Sequence, residues 1–432
     1  MTQKPIVFLV EDDLDVLEIE KSSLLDKCQV LTATNLDEAV VGILQSKDQI
    51  DLLVLDIKLD NNAKAGLQLA KFLRATTDLS KYPEAKQTEY PNFQGKILVS
   101  TVDLSIALAK VFEDLNIIGA ILKPFAIQNF QQAIETSLQI DSAELVLESG
   151  ERVLYEWGSE KMRRQMVIDT EGNVYKTGYW TRGGILSVCL PIVTGYCSIG
   201  CCFCSHAYAP KGSTRKRTVE EIKNSVKIVL QGTLFQPPLE EGEKFDIAFT
   251  GEGEPGKNLD NTIEAIHQLS REYGDQIRRV MVSTVKTKVI KRLLQENFVV
   301  PVQLQISGFF WYEERKQYMK GADPLEELLE LAFQYWQKTG RKLPIILNHA
   351  LIAKQTDTEK KIKQLIKLIK KAGQQNTNWL KVKISNYNPI TNIDWQASGG
   401  QAMMIKKLFA DQKIFSFFYR IPRRQIERIP DK

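Results

Sequence analysis

The feature that most constrains the fold of this chain is an alternation of short apolar runs with amphipathic helical patterns. The alternation occurs in two successive series, one before and one after the segment 141–185. It is typical of parallel sheets, because parallel strands need long crossover connections and helices supply them. With 432 residues, of which 43% are hydrophobic, the chain is large enough for two or three domains with their own cores.

The first series covers residues 1–140 and predicts five strand–helix units. Five such units favour a doubly wound parallel sheet, in which functional residues lie at the carboxyl ends of the strands. The predicted strands are Ile6–Val10, Gln29–Thr32, Leu52–Leu55, Lys96–Ser100 and Ile117–Leu122, and the predicted helices are Leu14–Leu25, Leu36–Gln45, Leu67–Arg74, Leu104–Asp114 and Ile127–Leu138.

Acidic residues follow two of these strands. Glu11 and Asp12 come directly after the first strand, and Asp56 comes directly after the third. Carboxylates that converge at one sheet edge repel each other unless a hard cation lies among them, and Mg²⁺ suits such oxygen ligands. Lys123 and a hydroxyl at the end of the fourth strand could hold the oxygens of a phosphoryl group on Asp56.

On these residues, the segment 1–140 resembles the receiver domain of two-component response regulators. The resemblance implies that Asp56 is the phosphoacceptor and that Glu11 and Asp12 bind Mg²⁺ together with it. It also implies that Lys123 contacts the phosphoryl group. A histidine kinase or another phosphodonor would then be a partner, and dimerisation through the receiver would be available.

The match to the receiver pattern leaves one choice and shows two departures. Ser100 and Thr101 both offer a switch hydroxyl, and Thr101 has the family's usual spacing from Lys123. Ala120 stands where the family usually has an aromatic switch residue, and the polar segment Thr77–Gln94 is an apparent insertion. The alternative hypothesis is a pseudo-receiver that does not respond to phosphate and serves only for docking.

The predicted domain organisation has three parts. Residues 1–140 form the receiver, residues 141–185 form a linker with a small β appendage, and residues 186–432 form the second main domain. Strand-like runs at Gln165–Asp169 and Val174–Trp180 are the signal for the appendage.

Four of the six cysteines lie within eight residues, at Cys197, Cys201, Cys202 and Cys204. Clustered thiols in a reducing compartment favour a metal site over disulfides. A structural zinc site usually takes two cysteine pairs separated by a longer loop, and here only His206 could add to the four thiols. A 4Fe–4S cluster bound by Cys197, Cys201 and Cys204 fits the spacing better, leaves one iron open, and leaves Cys202 outside the ligand set.

The second series begins just before these cysteines and contains six strand–helix units. Such a series suggests an open or partial barrel, with its function at the carboxyl ends of the strands. The predicted strands are Leu186–Val193, Phe245–Thr250, Val280–Val285, Val302–Ser307, Ile345–Leu351 and Leu380–Ile384, and the predicted helices are Thr218–Leu230, Leu259–Glu272, Val289–Glu296, Leu325–Thr339, Glu359–Ala372 and Ala402–Gln412.

The cysteine loop followed by this series resembles the radical S-adenosylmethionine superfamily over about residues 186–420. The resemblance implies that S-adenosylmethionine binds the open iron and that one-electron reduction yields a 5′-deoxyadenosyl radical. A low-potential electron donor, such as a flavodoxin or a ferredoxin, would then be a partner. Within the superfamily the nearest match is the ribosomal RNA adenine methyltransferases, on the segments GYCSIGCCFCSHAYAPKGSTRKRTVEEI, FTGEGEPGKNLDN, VMVSTVKTKVIKRL and ISNYNPI.

By this match, the residues that bind S-adenosylmethionine are Gly253, Glu254, Ser283, Ser307 and Asn388. Each of them comes at or just after the end of a predicted strand. Glycine allows close backbone approach, and the Glu254 carboxylate can accept hydrogen bonds from an ammonium group.

Two departures from the methyltransferase pattern bear on the reaction. Phe309 stands where the family has a histidine. The family also carries the methyl group on a C-terminal cysteine, whereas no cysteine follows Cys204 in this sequence. Cys189 is either the counterpart of the family's second cysteine or a small buried hydrophobe. Methylation by the cysteine-carrier route is therefore not expected.

The sequence therefore predicts a phosphorylation-regulated radical S-adenosylmethionine enzyme whose substrate is unidentified. RNA is one candidate, because Lys211–Arg217, Lys360–Lys371 and Arg420–Arg428 are basic, although a basic helix face can equally be an ordinary solvated surface. The alternative is a non-catalytic signalling adaptor that binds the cluster and S-adenosylmethionine.

Neither the net charge nor the hydropathy pattern indicates a membrane protein. The formal net charge is +4, so the chain is not a polycation. The uncharged stretch Gly183–Pro210 contains Gly, Pro, Ser, Thr and Cys and is not the continuous apolar run that a span needs. The N-terminus also lacks the pattern of a secretory signal, so a cytoplasmic protein is expected.

Overall fold

The chain folds into two compact units, Met1–Val174 with Gln231–Pro238 and Tyr175–Leu230 with Leu239–Lys432. The structure is a computed structural model. It describes residues 4–59, 62, 65–74, 93–101, 115–123, 127–139, 145–146, 151–159, 162–168, 174–182, 185–194, 197–204, 207, 215–230, 242–250, 253–387 and 395–419.

The first unit contains a five-stranded parallel sheet with the strand order β2-β1-β3-β4-β5. This order confirms the predicted doubly wound sheet. The predicted helix Leu104–Asp114 lies outside the described residues. The strands are β1 Ile6–Val10, β2 Gln29–Ala33, β3 Leu52–Asp56, β4 Lys96–Thr101 and β5 Ile117–Leu122, and the helices are α1 Leu14–Leu24, α2 Leu36–Ser46, α3 Ala65–Leu73 and α4 Ile127–Gln139.

The central strands of this sheet are buried on both faces. Every residue of β1 and β3 is buried. Along β1, Phe8 packs into one apolar cluster, whereas Val7 and Leu9 pack into a second cluster. Because helices cover both faces, these strands are continuous apolar runs rather than alternating ones.

An antiparallel meander follows the parallel sheet within the first unit. Its strands are β6 Leu145–Val146, β7 Arg152–Ser159 and β8 Met162–Ile168, in the order β8-β7-β6. Strand β8 overlaps the strand predicted at Gln165–Asp169. A small β element in this region therefore agrees with the prediction from the sequence.

The second unit contains a sheet in which seven described strands run parallel. The strand order is β18-β17-β16-β15-β14-β13-β10-β9, and β9 pairs antiparallel with β10. The strands are β9 Val174–Arg182, β10 Ile185–Cys189, β13 Phe245–Phe249, β14 Ile277–Thr284, β15 Val302–Ser307, β16 Ile345–Leu351, β17 Leu380–Asn386 and β18 Ser416–Tyr419, and a separate pair is formed by β11 Val193–Thr194 and β12 Arg215–Lys216.

Helices follow the parallel strands, and this confirms the partial barrel of strand–helix units. The longest described helix, α6, has 15 residues, whereas a membrane span needs about 20. No helix in the described parts of the chain has the length and apolar character to cross a bilayer. The helices are α5 Val219–Leu230, α6 Leu259–Tyr273, α7 Thr287–Leu293, α8 Tyr312–Tyr318, α9 Leu325–Lys338, α10 Glu359–Ala372 and α11 Ala402–Asp411.

The structure differs from the prediction at both edges of the parallel strands. The run predicted as Leu186–Val193 is two strands, since β10 ends at Cys189 and Val193 belongs to the pair with β12. Strand β18 was missed, and it pairs parallel with β17. Four residues are too few to show a helical or an alternating period, so only the pairing reveals this strand.

The two faces of the parallel strands have opposite character. On β15, Leu304 and Ile306 pack into the large apolar cluster beneath the helices. Gln305 and Ser307 alternate with them and therefore lie on the other face of the sheet. Ser283 of β14 pairs in register with Gln305 and shares that polar face. The strand period thus brings two of the predicted cofactor-binding hydroxyls to one surface.

Gly66 of α3 gives a test of the packing around β3. A Cβ atom at Gly66 would lie 1.9 Å from the backbone oxygen of Asp56. Gly66→Ala must therefore displace backbone, and we expect it to lower the free energy of unfolding by roughly 1–3 kcal/mol or more, as measured by urea denaturation. The control is Gly399→Ala, because no atom lies within 4 Å of that added Cβ. The control should change stability by less than about 0.5 kcal/mol. Equal effects of the two variants would contradict the packing argument.

Candidate functional site

The first candidate site is a group of three carboxylates at the carboxyl end of the five-stranded sheet. One ligating oxygen each from Glu11, Asp12 and Asp56 lies within 4.8 Å of the others. Glu11 follows β1 and Asp56 ends β3, and these two strands are neighbours. Glu11 and Asp56 are buried and Asp12 is exposed. The structure thus brings together the three residues that the sequence predicts as Mg²⁺ ligands.

Lys123 completes this group from the end of β5. Its Nζ donates to Oδ2 of Asp56 at 2.7 Å and also to Glu11. Burial alone would lower the pKa of Lys123, but the charges of Asp56 and Glu11 outweigh burial and raise it. Burial raises the pKa of Glu11, and the Lys123 ammonium opposes that rise. The group therefore consists of two buried acids and one exposed acid, and Lys123 pairs with the two buried ones.

The two residues that offer a candidate hydroxyl are consecutive and end strand β4. Ser100 pairs in register with Asp56, and Thr101 pairs with Leu122. Both are buried, and the backbone oxygen of Thr101 accepts from the N–H of Lys123 at 2.7 Å. The Oγ of Ser100 has no hydrogen-bond partner within the described parts of the chain. Thr101 as the switch hydroxyl stays a prediction from the sequence resemblance.

Glu20 is a buried acid near this site that the sequence analysis missed. It is 1% exposed, and its Oε1 has no hydrogen-bond partner among the described residues. Burial, followed by the charge of Glu11, raises the pKa of Glu20 to about 8. The sequence does contain a signal for this burial. Glu20 lies three residues after Leu17 and four before Leu24, and these three residues form the buried stripe of α1.

The second candidate site is built around the cysteine loop 197–204. The loop closes on itself, since the N–H of Cys204 donates to the oxygen of Cys201 at 3.0 Å. It is also tied to the segment after α8. The N–H of Cys202 donates to Tyr318, and the N–H of Gly321 donates to Ile199, at 2.9 and 2.8 Å. The backbone of the loop is therefore held in place by main-chain hydrogen bonds.

Cys197 and Cys201 lie against an apolar cluster that includes Phe203, Phe309 and Phe310. Burial raises the pKa of the Cys201 thiol, and the neighbouring thiols of Cys204 and Cys197 raise it further. The raised pKa favours the protonated form of the Cys201 thiol until a metal ion binds.

The spacing of these thiols tests the zinc hypothesis. Sulfurs around a tetrahedral zinc ion lie about 3.8 Å apart, because each Zn–S bond is about 2.3 Å long. Among the described residues, only the acidic group of the first unit has three ligating atoms within 4.8 Å of one another. The thiols of Cys197, Cys201 and Cys204 do not form such a group, so at least one pair of their sulfurs lies more than 4.8 Å apart, farther than in a tetrahedral zinc site. His206 lies outside the described residues.

Glu254 follows β13 at the carboxyl end of the parallel strands of the second unit, and its side chain forms hydrogen bonds with residues at the end of β14. Its carboxylate accepts from the Thr284 hydroxyl, from the N–H of Gly256 at 3.2 Å and from the N–H of Val285 at 3.1 Å. Burial raises the pKa of Glu254 to about 7, although these hydrogen bonds lower it. Two donors use Oε1 and one uses Oε2, so Oε2 keeps one acceptor position.

A residue with a side chain would not fit at the position of Gly253. Its φ angle is +92°, and an added Cβ would lie 2.4 Å from the side chain of Val193. Ser283 and Ser307 are half-buried near the ends of β14 and β15. Asn388, the fifth predicted residue, lies outside the described residues. The structure therefore brings four of the predicted cofactor-binding residues to one end of the sheet.

Cys189 and the basic helix were left with open interpretations by the sequence. Cys189 is buried at the end of β10, with its Sγ 3.8 Å from the hydroxyl of Thr250.

On α10 the apolar stripe is buried. Lys361 forms an ion pair with Glu314, and Lys363 forms one with Glu359. Part of this lysine face is therefore paired. The segments 208–214 and 420–432 lie outside the described residues.

Comparison with known proteins finds relatives that share one name. The chain is 29% identical over 237 residues to the "Probable dual-specificity RNA methyltransferase RlmN" of Dictyoglomus thermophilum, covering 53% of this chain and 62% of that protein. It is 31% identical over 193 residues to the protein of the same name in Symbiobacterium thermophilum, covering 43% and 48%. The chain thus spans about half to two thirds of the length of these relatives. No protein-family model matches the chain.

Two solved structures illustrate what the chain is similar to. A radical SAM methyltransferase from Sphaerobacter thermophilus superposes with a TM-score of 0.55 at 18% identity, covering 74% of this chain and 95% of that one. At this identity the likeness shows the fold alone. The chemotaxis response regulator CheY4 of Vibrio cholerae matches with a TM-score of 0.24 at 18% identity, covering 31% of this chain and 99% of that one.

Because Glu20 is buried, we predict that the free energy of unfolding depends on pH. The pKa of Glu20 in the folded protein, about 8, lies above the ordinary value of 4.5. The folded state therefore holds a proton that the unfolded state releases, and stability is full below pH 4.5 and is lost as pH rises toward 8. We expect Glu20→Gln to remove this loss and to raise the free energy of unfolding near pH 8 by roughly 1–3 kcal/mol. Urea denaturation at several pH values in Mg²⁺-free buffer measures it.

The matched control is Glu18→Gln, since Glu18 is exposed on the same helix. This variant should keep the pH dependence of the wild type. A Glu20→Gln protein with an unchanged pH profile would show that Glu20 is ionised in the folded state at neutral pH.

Proposed function

We propose that the second unit is a radical S-adenosylmethionine enzyme. It binds a 4Fe–4S cluster through Cys197, Cys201 and Cys204 and binds S-adenosylmethionine at the carboxyl end of the partial barrel. The observation that carries the proposal is the geometry of the three thiols. Cys197 and Cys201 lie against an apolar cluster, and main-chain hydrogen bonds hold the loop that contains all three cysteines. At least one pair of the three sulfurs lies more than 4.8 Å apart. The named relatives support the same assignment.

The residues around the thiols suit these two groups. A reduced cluster, when bound, supplies the electron that cleaves S-adenosylmethionine to a 5′-deoxyadenosyl radical. Gly253 leaves room for close approach to the backbone, and the remaining acceptor position on Glu254 suits an ammonium group. Ser283 and Ser307 offer hydroxyls on the polar face of the sheet. Asn388 is proposed as a further ligand on the sequence match alone.

Aromatic side chains form the wall beside the cysteine loop. Phe203 packs edge-on against Phe309, with ring centroids 5.2 Å apart, and lies 6.0 Å from Phe310. Tyr318 and Trp395 extend the group. Such a wall excludes water, which protects a reactive radical from side reactions.

RNA is the substrate class that the names of the relatives point to, and we carry it to this chain as a proposal. The exposed lysines of α10, including Lys360 and Lys367, offer positive charge for phosphates. A low-potential electron donor of the flavodoxin or ferredoxin type would supply the electron.

We further propose that the first unit is a phosphorylation-controlled receiver. Asp56 would accept the phosphoryl group from a histidine kinase or another phosphodonor, and Glu11, Asp12 and Asp56 would bind Mg²⁺. Support comes from the three converging carboxylates and from the Lys123 ammonium on Asp56. Phosphorylation would change the charge of a buried site, and such changes commonly bias a two-state receiver.

A specific observation favours one alternative, a non-catalytic adaptor that binds the cluster and S-adenosylmethionine. Phe309 has no hydrogen-bonding group where the related enzymes have a histidine, and most acceptor positions of Glu254 are used within the protein. The adaptor and the enzyme make different predictions. Only the enzyme releases 5′-deoxyadenosine.

The cysteine loop provides a matched pair of variants for the cluster. After anaerobic reconstitution with iron and sulfide, the wild type should bind about four irons per chain and release 5′-deoxyadenosine under a low-potential reductant. Cys201→Ala should lose the cluster and slow cofactor cleavage by more than the roughly 10–100-fold typical of losing an outer-shell partner. Cys202→Ala should retain both properties. Iron analysis and product chromatography measure them.

Three outcomes separate the alternatives. Cluster binding with no cofactor cleavage would favour the adaptor. Stoichiometric zinc in place of iron would contradict both iron–sulfur proposals. Equal losses in Cys201→Ala and Cys202→Ala would contradict the proposed ligand set.

Asp56 gives the test of the receiver. With Mg²⁺ and acetyl phosphate, the wild type should form an acid-labile acyl phosphate, and Asp56→Asn should reduce it by about tenfold or more because the nucleophile is gone. The matched control is Asp15→Asn, since Asp15 is an exposed acid at the start of α1. Intact-mass spectrometry measures the added phosphoryl group. A wild-type protein that is never phosphorylated would favour the pseudo-receiver.

A further inference from the structure

Arg315 of α8 is a buried cation beside the cysteine loop. Its Nη1 donates to Sδ of Met319 at 3.6 Å, and Met319 forms a β-bridge with Cys201. Arg315 is 2% exposed. Its guanidinium donates to the backbone oxygens of Asp323 at 2.7 Å, Phe309 at 2.8 Å and Ser307 at 3.1 Å. These acceptors are all neutral, so the guanidinium is positioned by the backbone and its charge is not cancelled there.

Among the described residues, carboxylates act on Arg315 only from more than 4.0 Å away. Within the described parts of the chain, Arg315 forms no ion pair within 4.0 Å, and its Nη2 has no hydrogen-bond partner. Burial lowers the pKa of Arg315 to about 10, so the side chain stays protonated at neutral pH.

A buried cation without a partner is strongly unfavourable. The arrangement is therefore complete only when negative charge resides on the thiolates beside Arg315. Metal binding supplies that charge, because thiols lose their protons on binding iron. The cation is rigidly held, so little reorganisation is needed when the negative charge appears.

We propose that Arg315 is the fixed countercharge of the cluster bound by Cys197, Cys201 and Cys204, and that it raises the reduction potential of that cluster. This inference rests on the proposed function of the second unit. Reduction adds one electron, taken from the low-potential donor, to a cluster already held by three thiolates. A nearby cation stabilises the reduced state more than the oxidised state, because the reduced state carries more negative charge.

The competing role for Arg315 is purely structural. Its hydrogen bonds hold the segment between Ser307 and Phe310, which lies next to a proposed cofactor-binding residue. A structural role depends on the shape of the guanidinium, whereas a countercharge role depends on its charge. Substitutions that separate charge from shape therefore distinguish the two.

The experiment compares the midpoint potential of the reconstituted cluster in three full-length proteins, with iron and sulfide measured in each. Electron paramagnetic resonance during a reductive titration reports the potential without relying on turnover. At a fixed applied potential, Arg315→Gln should lower the ratio of reduced to oxidised cluster by about tenfold. This change corresponds to a midpoint potential that is lower by about 59 mV for a one-electron couple. Arg315→Lys keeps the charge and should restore most of this loss.

Two further variants control for disturbed folding. Glu326→Gln removes a negative charge that acts on Arg315 and leaves the hydrogen bonds of Arg315 intact, so it should shift the potential in the positive direction. Arg74→Gln removes a guanidinium that also donates to backbone oxygens, but in the first unit. This last variant should leave the potential of the cluster unchanged.

Each result bears on one proposal. Equal potentials in the wild type, Arg315→Gln and Glu326→Gln, each with a full complement of iron, would overturn the countercharge role. Equal shifts in Arg315→Gln and Arg315→Lys would show a structural role instead. If Arg315→Gln does not hold iron, an unshifted potential in Glu326→Gln overturns the inference and a positive shift supports it. A wild type that binds no iron would instead overturn the proposed function.

Discussion

Burial of charge at the carboxyl ends of parallel strands is the constraint on which both candidate sites depend. A charged group removed from water is stable only if an opposite charge or several hydrogen bonds replace the lost solvent. In the first unit, Lys123 provides the opposite charge for Asp56 and Glu11. In the second unit, main-chain N–H groups and a hydroxyl satisfy Glu254, while Arg315 keeps an excess positive charge.

The two sites have opposite charge imbalances, and the imbalance indicates what each would bind. Three carboxylates with one lysine leave a net negative site, which suits a divalent cation and then a phosphoryl group. Beside the thiols, Arg315 is a buried positive charge with no ion-pair partner among the described residues, which suits a thiolate-bound cluster. In both cases the protein alone is electrostatically incomplete, and a bound group would correct the imbalance.

The strand–helix pattern predicted most of the fold, and its failures have physical reasons. Strands β1, β5, β15 and β16 have the predicted bounds. Strands β1 and β5 are continuous apolar runs, and in β15 apolar residues alternate with polar ones, which is the period of a strand. Strand β18 was missed because a four-residue run carries little periodic signal, and its pairing with β17 is a long-range interaction. Glu20 was missed because an acid in the buried stripe of a helix contradicts the average behaviour of acids.

The sequence by itself determined which chemical groups follow which strands, because strand order along the chain assigns each of them to a sheet edge. Asp56, Glu254 and the cysteine loop could all be named on that basis. Only the tertiary structure decided the distances and the surroundings: the convergence of Glu11 and Asp12 on Asp56, the wide spacing of the thiols, and the burial of Arg315. These depend on contacts between residues far apart in the chain, and residue types and local spacing do not specify such contacts.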